Sequence, residues 1–266
     1  MDIRTEHGAP KYGHLPLNKF QSNIYSQNGE DGVIAEVLRR LAISGSEDRW
    51  CVEFGAWDGK HLSNTFALVE RGHYRAVYIE GDKARFEDLR KTVVQHPSIV
   101  PVCAYVSPLR GDVASLDNLL AGTGLPKDFD LLSIDIDSCD LDVWESFILY
   151  EPKVVVIEIN SSVPPGVIWR HGPKTPQNTF SATLRVAKDK GYKLVCHTGN
   201  LIFVRNDLVK KLNIDERFFK YPELLFLFDS KWFPDGMYST SSRAFLKRLA
   251  VKVTPKPLRP LFGLKK

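Results

Sequence analysis

The sequence predicts an α/β domain built on an open, mostly parallel sheet of seven strands that ends in an antiparallel hairpin. Three observations predict it. Short runs rich in Val, Ile and Leu recur without polar alternation, as strands covered by helices on both faces require. Segments with helical spacing, each ended by Gly or Pro, lie between those runs, and such alternation marks a layered α/β architecture. Finally, "YKLVCHTGNLIFVRND" sets two apolar runs around Thr198, Gly199 and Asn200, which is a hairpin signal.

Taken in order, "SQNGEDGVIAEVLRRLAI" opens the pattern as a helix. Asn28 is its expected N-cap, Asp31 stands three residues on, and Val33, Ile34, Val37, Leu38 and Leu41 follow at helical spacing. The parallel strands are "WCVEF" (50–54), "AVYIE" (76–80), "IVPVCAYV" (99–106), "DLLSID" (130–135) and "KVVVIEIN" (153–160). Helices fill the gaps: "NTFALVERG" ends at Gly72, "KARFEDLRKTVVQHP" is stopped by Pro97, and "QNTFSATLRVAKDKG" ends at Gly191.

With 266 residues, 43% hydrophobic and 26% charged, the chain has room for one large domain with a substantial core. We place that domain at 25–213, between an N-terminal arm (1–24) and a basic C-terminal extension (214–266). No apolar run reaches the roughly 18 residues that span a bilayer, and the first 20 residues lack the apolar region of a secretory signal, so a cytoplasmic location is expected. Cys51, Cys103, Cys139 and Cys196 lack CxxC spacing and read as small buried thiols in a reducing compartment. No acidic residue follows Asp235, while eight Lys and Arg lie in 243–266, which leaves residues 1–242 at net −4 against +4 for the whole chain. That tail interleaves Phe245, Leu246, Leu249 and Leu258 with its charges. It either docks on its own domain or makes peripheral contact with a membrane or another anionic surface. No nucleic-acid partner is expected, and the oligomeric state is left open.

In open α/β sheets, ligands sit beyond the carboxyl ends of the strands. There the first strand runs into "VEFGAWDG", where Glu53 stands near the strand end and Gly55 and Gly59 allow a tight turn with close backbone approach. The spacing is not GxGxxG, and Asp58 sets negative charge where a pyrophosphate would lie, which disfavours a dinucleotide cradle. Glu80 ends the second strand in "YIEGD", well placed to accept hydrogen bonds from both hydroxyls of a ribose. The combination describes a nucleoside site without a diphosphate.

At these residues the chain resembles the Rossmann-like class I methyltransferases that use S-adenosyl-L-methionine (SAM), a fold made as a three-layer sandwich. "YSQNGEDGVI", "LLSIDIDSCDLDVW", "VVVIEIN" and "HTGNLIFVRNDL", in that order and spacing, are similar to the FkbM-type members. The resemblance implies methyl transfer to an oxygen, often a hydroxyl of a sugar, glycan or natural product. It also implies that Ser26 and Gln27 lie near the methionine carboxylate of the cofactor, and Tyr105 near its adenine. One departure stands out. A common D-V-E-G after strand four is here Asp135-Ile136-Asp137-Ser138.

Methyl transfer needs an acceptor oxygen held in line with the sulfonium carbon, and help in removing its proton. Asp135 and Asp137 after strand four, with Glu158 and Asn160 at strand five, are expected at one sheet edge. Oxygen ligands of this kind suit Mg²⁺ or another hard divalent cation. Alternatively, Asp135 contacts the methionine amine or the acceptor directly, and Glu158 and Asn160 bind acceptor hydroxyls. Asp135, His197 at the end of the sixth strand, and His171 in the loop "SSVPPGVIWRHGPKTPQN" are the catalytic candidates. Two other readings stay open: an NAD(P)-binding oxidoreductase on a similar sheet, and a SAM-binding assembly module without catalysis.

Overall fold

Seven strands form one sheet in the order β3-β2-β1-β4-β5-β7-β6. They are β1 (Trp50–Phe54), β2 (Arg75–Glu80), β3 (Ile99–Cys103), β4 (Leu131–Ile134), β5 (Val154–Glu158), β6 (Tyr192–His197) and β7 (Asn200–Arg205). The first five run parallel, and β7 pairs antiparallel with both β5 and β6. This computed structural model describes residues 14–43, 48–173, 175 and 177–229. Every residue of β1 and β4 is buried, as their unbroken apolar runs require.

The helices are α1 (Glu30–Arg40), α2 (Phe66–Gly72), α3 (Lys83–Gln95), α4 (Leu116–Leu120), α5 (Asp140–Ser146), α6 (Phe180–Asp189) and α7 (Arg217–Lys220). The strand order reverses between β1 and β4. With right-handed crossovers, that reversal sends the β1-to-β3 helices and the β4-to-β5 helix to opposite faces and opens a crevice between β1 and β4.

Several expectations need correction. Strand three stops at Cys103, and Asn200 belongs to β7, which leaves a two-residue turn at Thr198 and Gly199. The N-cap of α1 is Gly29, not Asn28: its φ of +91° is left-handed, and an added Cβ would lie 2.5 Å from Gln21 Cβ. Asp31 instead folds the preceding segment onto the helix start, since its Oδ2 accepts from the backbone N–H groups of Ile24, Tyr25 and Ser26 at 2.7–2.8 Å. The short helices α4 and α5 carry too few turns to show a clear period in sequence.

The segment before β1 and the one after β7 both join the core. Leu15, Leu17, Ile214, Phe218, Leu225 and Phe226 are all buried in it. Residues 214–229 therefore pack with the domain, although they lie beyond the boundary drawn at 213. Glu30 ties α1 to the hairpin, because its Oε1 accepts from Thr198 Oγ1 at 2.6 Å and Asn200 Nδ2 at 3.2 Å. Cys51 and Cys196 are buried, whereas Cys103 is exposed and Cys139 half-buried; all four are free thiols. The basic stretch 243–266 lies outside the described residues.

Candidate active site

The β1 side of the crevice is built around two carboxylates with different partners. Glu53 turns into the protein: Ser63 Oγ and Thr65 Oγ1 donate to its Oε2 at 2.5 and 2.6 Å, and Asn64 N–H donates to Oε1 at 3.0 Å. Burial pushes its carboxyl upward, and the three donors pull against that shift. Glu53 thereby fixes the segment leading into α2. Glu80 lies at the loops themselves. Its Oε2 accepts from Trp57 N–H and its Oε1 from Asp82 N–H, both at 2.8 Å, which leaves a lone pair on each oxygen for a ligand diol.

Gly55 has φ +79°, and a Cβ there would lie 1.8 Å from the carbonyl oxygen of Asp135. The glycine is needed for the β1 loop to pass the end of β4, in addition to any ligand approach. Asp58 Oδ1 accepts from the N–H groups of Lys60 and His61, so it shapes the turn after Gly55. Tyr105 is 75% exposed, and its ring lies against Gly81, where a Cβ would come within 2.3 Å of it. Trp57, with φ +47°, is also exposed and stacks under the Arg85 guanidinium, 4.5 Å away. Glu80, Gly81, Trp57 and Tyr105 thus form one edge bearing two aromatic faces and a diol acceptor.

Ser26 is buried, and its hydroxyl accepts from Asp31 N–H and donates to Asn23 Oδ1; Gln27 is exposed. Asp31, in sequence only a helix signal, joins this side of the site. Its Oδ1 is buried without a hydrogen-bond partner, and its charge acts on Glu53. An orphaned buried carboxylate oxygen fits a cationic group such as the amine of SAM.

On the β4 side, Asp135, Asp137 and Glu158 place one carboxylate oxygen each within 4.8 Å of one another. Burial, then the neighbouring Asp140 and Asp137, push Asp135 upward; burial, then Asp135, push Glu158 up further. The pair consequently retains a proton near neutrality. Asp140, fully buried, holds the connecting loop by accepting from Ile136 N–H at 2.8 Å and Ser138 N–H at 2.9 Å. That loop sets Asp137 at φ +58°. The third Asp of "DIDSCD" was visible in sequence, but its role as loop organiser was not.

Asn160 follows β5, and its Oδ1 accepts from the N–H and hydroxyl of Ser162. Gln177 contacts the trio, although no sequence signal marks it. Its Nε2 donates to Asp137 Oδ1 at 3.0 Å and also to Glu158 Oε2. The oxygen-only donor set and its close spacing fit a hard divalent cation, whose contacts run about 2.1–2.5 Å.

The two histidines differ. His197 is fully buried; Leu227 N–H donates to its Nδ1 at 2.8 Å, which leaves the proton on Nε2 to donate to Ser161 Oγ at 2.9 Å. Burial pushes it down to about 3. With both nitrogens occupied, His197 packs the core and locks 214–229 in place, and it does not reach the crevice as a base. His171 sits in the loop after β5, anchored by its N–H to Asn178 Oδ1, and its buried Nδ1 has no partner.

No protein-family model and no characterised protein matches the sequence. Solved structures do match in overall chain path. The N-terminal domain of EvdMO1, determined with SAH and D-fucose, is 13% identical over 64% of this chain and 82% of its own, with a TM-score of 0.40. An O-methyltransferase family protein from Burkholderia thailandensis is 12% identical over 66% of this chain and 58% of its own, with a TM-score of 0.40. TrmK from M. capricolum, with SAH, is 11% identical over 86% of this chain and 87% of its own, again with a TM-score of 0.40. Likeness at this level concerns the fold alone, and nothing those proteins do is carried over to this chain by it.

Proposed function

We propose that the chain transfers a methyl group from SAM to a hydroxyl oxygen of a sugar, glycan or natural product. One observation carries the reading: the β1/β4 crevice brings a nucleoside-type edge, Glu80 with Trp57 and Tyr105, opposite an acidic edge of Asp135, Asp137 and Glu158. The FkbM-type resemblance of the motifs supports an oxygen as the acceptor.

When bound, SAM would supply an activated methyl group, its C–S bond breaking as the C–O bond forms and the neutral thioether being released. The protein's residues do the rest. Glu80 orients the ribose, Asp31 and the Ser26–Gln27 turn face the methionine end, and the acidic edge receives the hydroxyl. Asp135, raised toward neutrality by burial and its acidic neighbours, is poised to take the hydroxyl proton. In the alternative arrangement, a divalent cation would be held by Asp135, Asp137 and Glu158 and would lower the pKa of the acceptor hydroxyl, with Asp135 then a ligand and not the base.

The test is a screen of glycan and natural-product acceptors with methyl-labelled SAM. Label should appear on a hydroxyl, and Asp135→Ala should abolish transfer while S-adenosylhomocysteine affinity stays within a few-fold. Cofactor binding without transfer to any acceptor would favour the non-catalytic module instead.

A further inference from the structure

We propose that Gln177 is the fourth oxygen ligand of a divalent-cation site completed by Asp135, Asp137 and Glu158, its side-chain amide turning over when the ion binds. The proposal rests on the cation reading of the strand-end carboxylates and is independent of which group is methylated.

Gln177 is only 3% exposed, and its carbonyl oxygen, Oε1, is buried without a hydrogen-bond partner. A buried amide oxygen without a partner is costly, so such an atom calls for an explanation. The other end of the same amide shows where the group points: Nε2 donates to Asp137 and to Glu158, two members of the trio. A half-turn about the last side-chain bond exchanges the two ends. The amide oxygen then faces the position shared by the three carboxylates, a placement that repels without a cation and coordinates with one.

The NH₂ group therefore satisfies the trio in the ion-free protein, and the oxygen does so in the loaded one. The ligands come from three segments: the β4 end (Asp135, Asp137), β5 (Glu158) and the loop before α6 (Gln177). Gln177 sits at φ +58°, so the backbone that aims it is itself constrained. Ion binding would thus couple the backbone at Gln177 to the acidic edge. A fourth neutral oxygen favours hard cations such as Mg²⁺, Mn²⁺ or Ca²⁺ over Zn²⁺.

The full-length protein, without SAM, is titrated with Mn²⁺ and the bound ion counted by electron paramagnetic resonance. One ion should bind; Gln177→Leu should weaken it about tenfold, and Gln177→Glu, which keeps an oxygen at the same reach, should restore or exceed wild-type affinity. In ¹⁵N spectra, Mg²⁺ should shift the side-chain NH₂ resonances of Gln177 as they leave the carboxylates. Unchanged or tighter binding by Gln177→Leu would overturn the proposal, since it would make the amide a competitor of the ion. Should Gln177→Leu fail to fold, unshifted NH₂ resonances in the Mg²⁺-saturated wild type would overturn it. Absence of Mn²⁺ binding to the wild type would overturn the cation reading as well, while S-adenosylhomocysteine binding in EDTA tests the methyl-transfer reading separately.

Discussion

Asp135 and Glu158 hold more protons in the folded chain than in the unfolded one, because burial raises both, with Asp140 and Asp137 adding to the rise of Asp135 and Asp135 adding to that of Glu158. Where the folded state binds more protons, stability falls as pH rises. The pair's contribution is therefore present in acid and lost as pH climbs above the ordinary carboxylate range. Asp135→Asn should raise Tm more at pH 8 than at pH 5 in EDTA, and melting curves across pH check it. His197 has the opposite sign. Its folded value, about 3, lies below its unfolded value, so the unfolded chain takes up the proton first and stability is lost as pH falls below about 6.5. Glu53 predicts a different effect: Glu53→Ala leaves Ser63, Asn64 and Thr65 without their acceptor and should cost about 3 kcal/mol by denaturant unfolding.

At the scale of elements, the β1 loop and the segment after β7 are the points where single changes should matter most. Gly55→Ala forces a Cβ against the Asp135 carbonyl and disfavours φ +79°, so the loop must shift away from β4. The variant should lose S-adenosylhomocysteine binding by more than tenfold in calorimetry, because Trp57 moves with that loop and its N–H no longer holds the Glu80 carboxylate. Phe226 packs edge-on to Phe180 at 5.1 Å and beside His197 at 5.5 Å. Phe226→Ala should destabilise by about 3–5 kcal/mol, the usual cost of deleting a buried aromatic ring. A wild-type midpoint in that variant would mean that residues 214–229 only rest on the domain.

For the molecule as a whole, the parallel strands and their shared carboxyl edge were legible because buried parallel strands are written as apolar runs, whereas their order across the sheet was not. The acidic residues at those ends could be placed on one edge from the topology alone. What the runs do not encode is the direction of a side chain beyond the last strand residue. Glu53 turns inward because Ser63 to Thr65 fold back onto it, and Asn160 Oδ1 is taken up by the N–H of Ser162. Gln177 is 40 residues from Asp137 in sequence, in a loop without periodicity, so only the fold brings it to the trio. The described residues contain no helix long and apolar enough to cross a membrane.

The central claim is that the β1/β4 crevice binds SAM. A thermal-shift comparison tests it most directly: S-adenosylhomocysteine at a hundredfold excess over its Kd should stabilise the protein by about 2.7 kcal/mol. NADH should leave Tm unchanged, and Glu80→Ala should remove most of the S-adenosylhomocysteine shift. Stabilisation by NADH with none by S-adenosylhomocysteine would contradict the account.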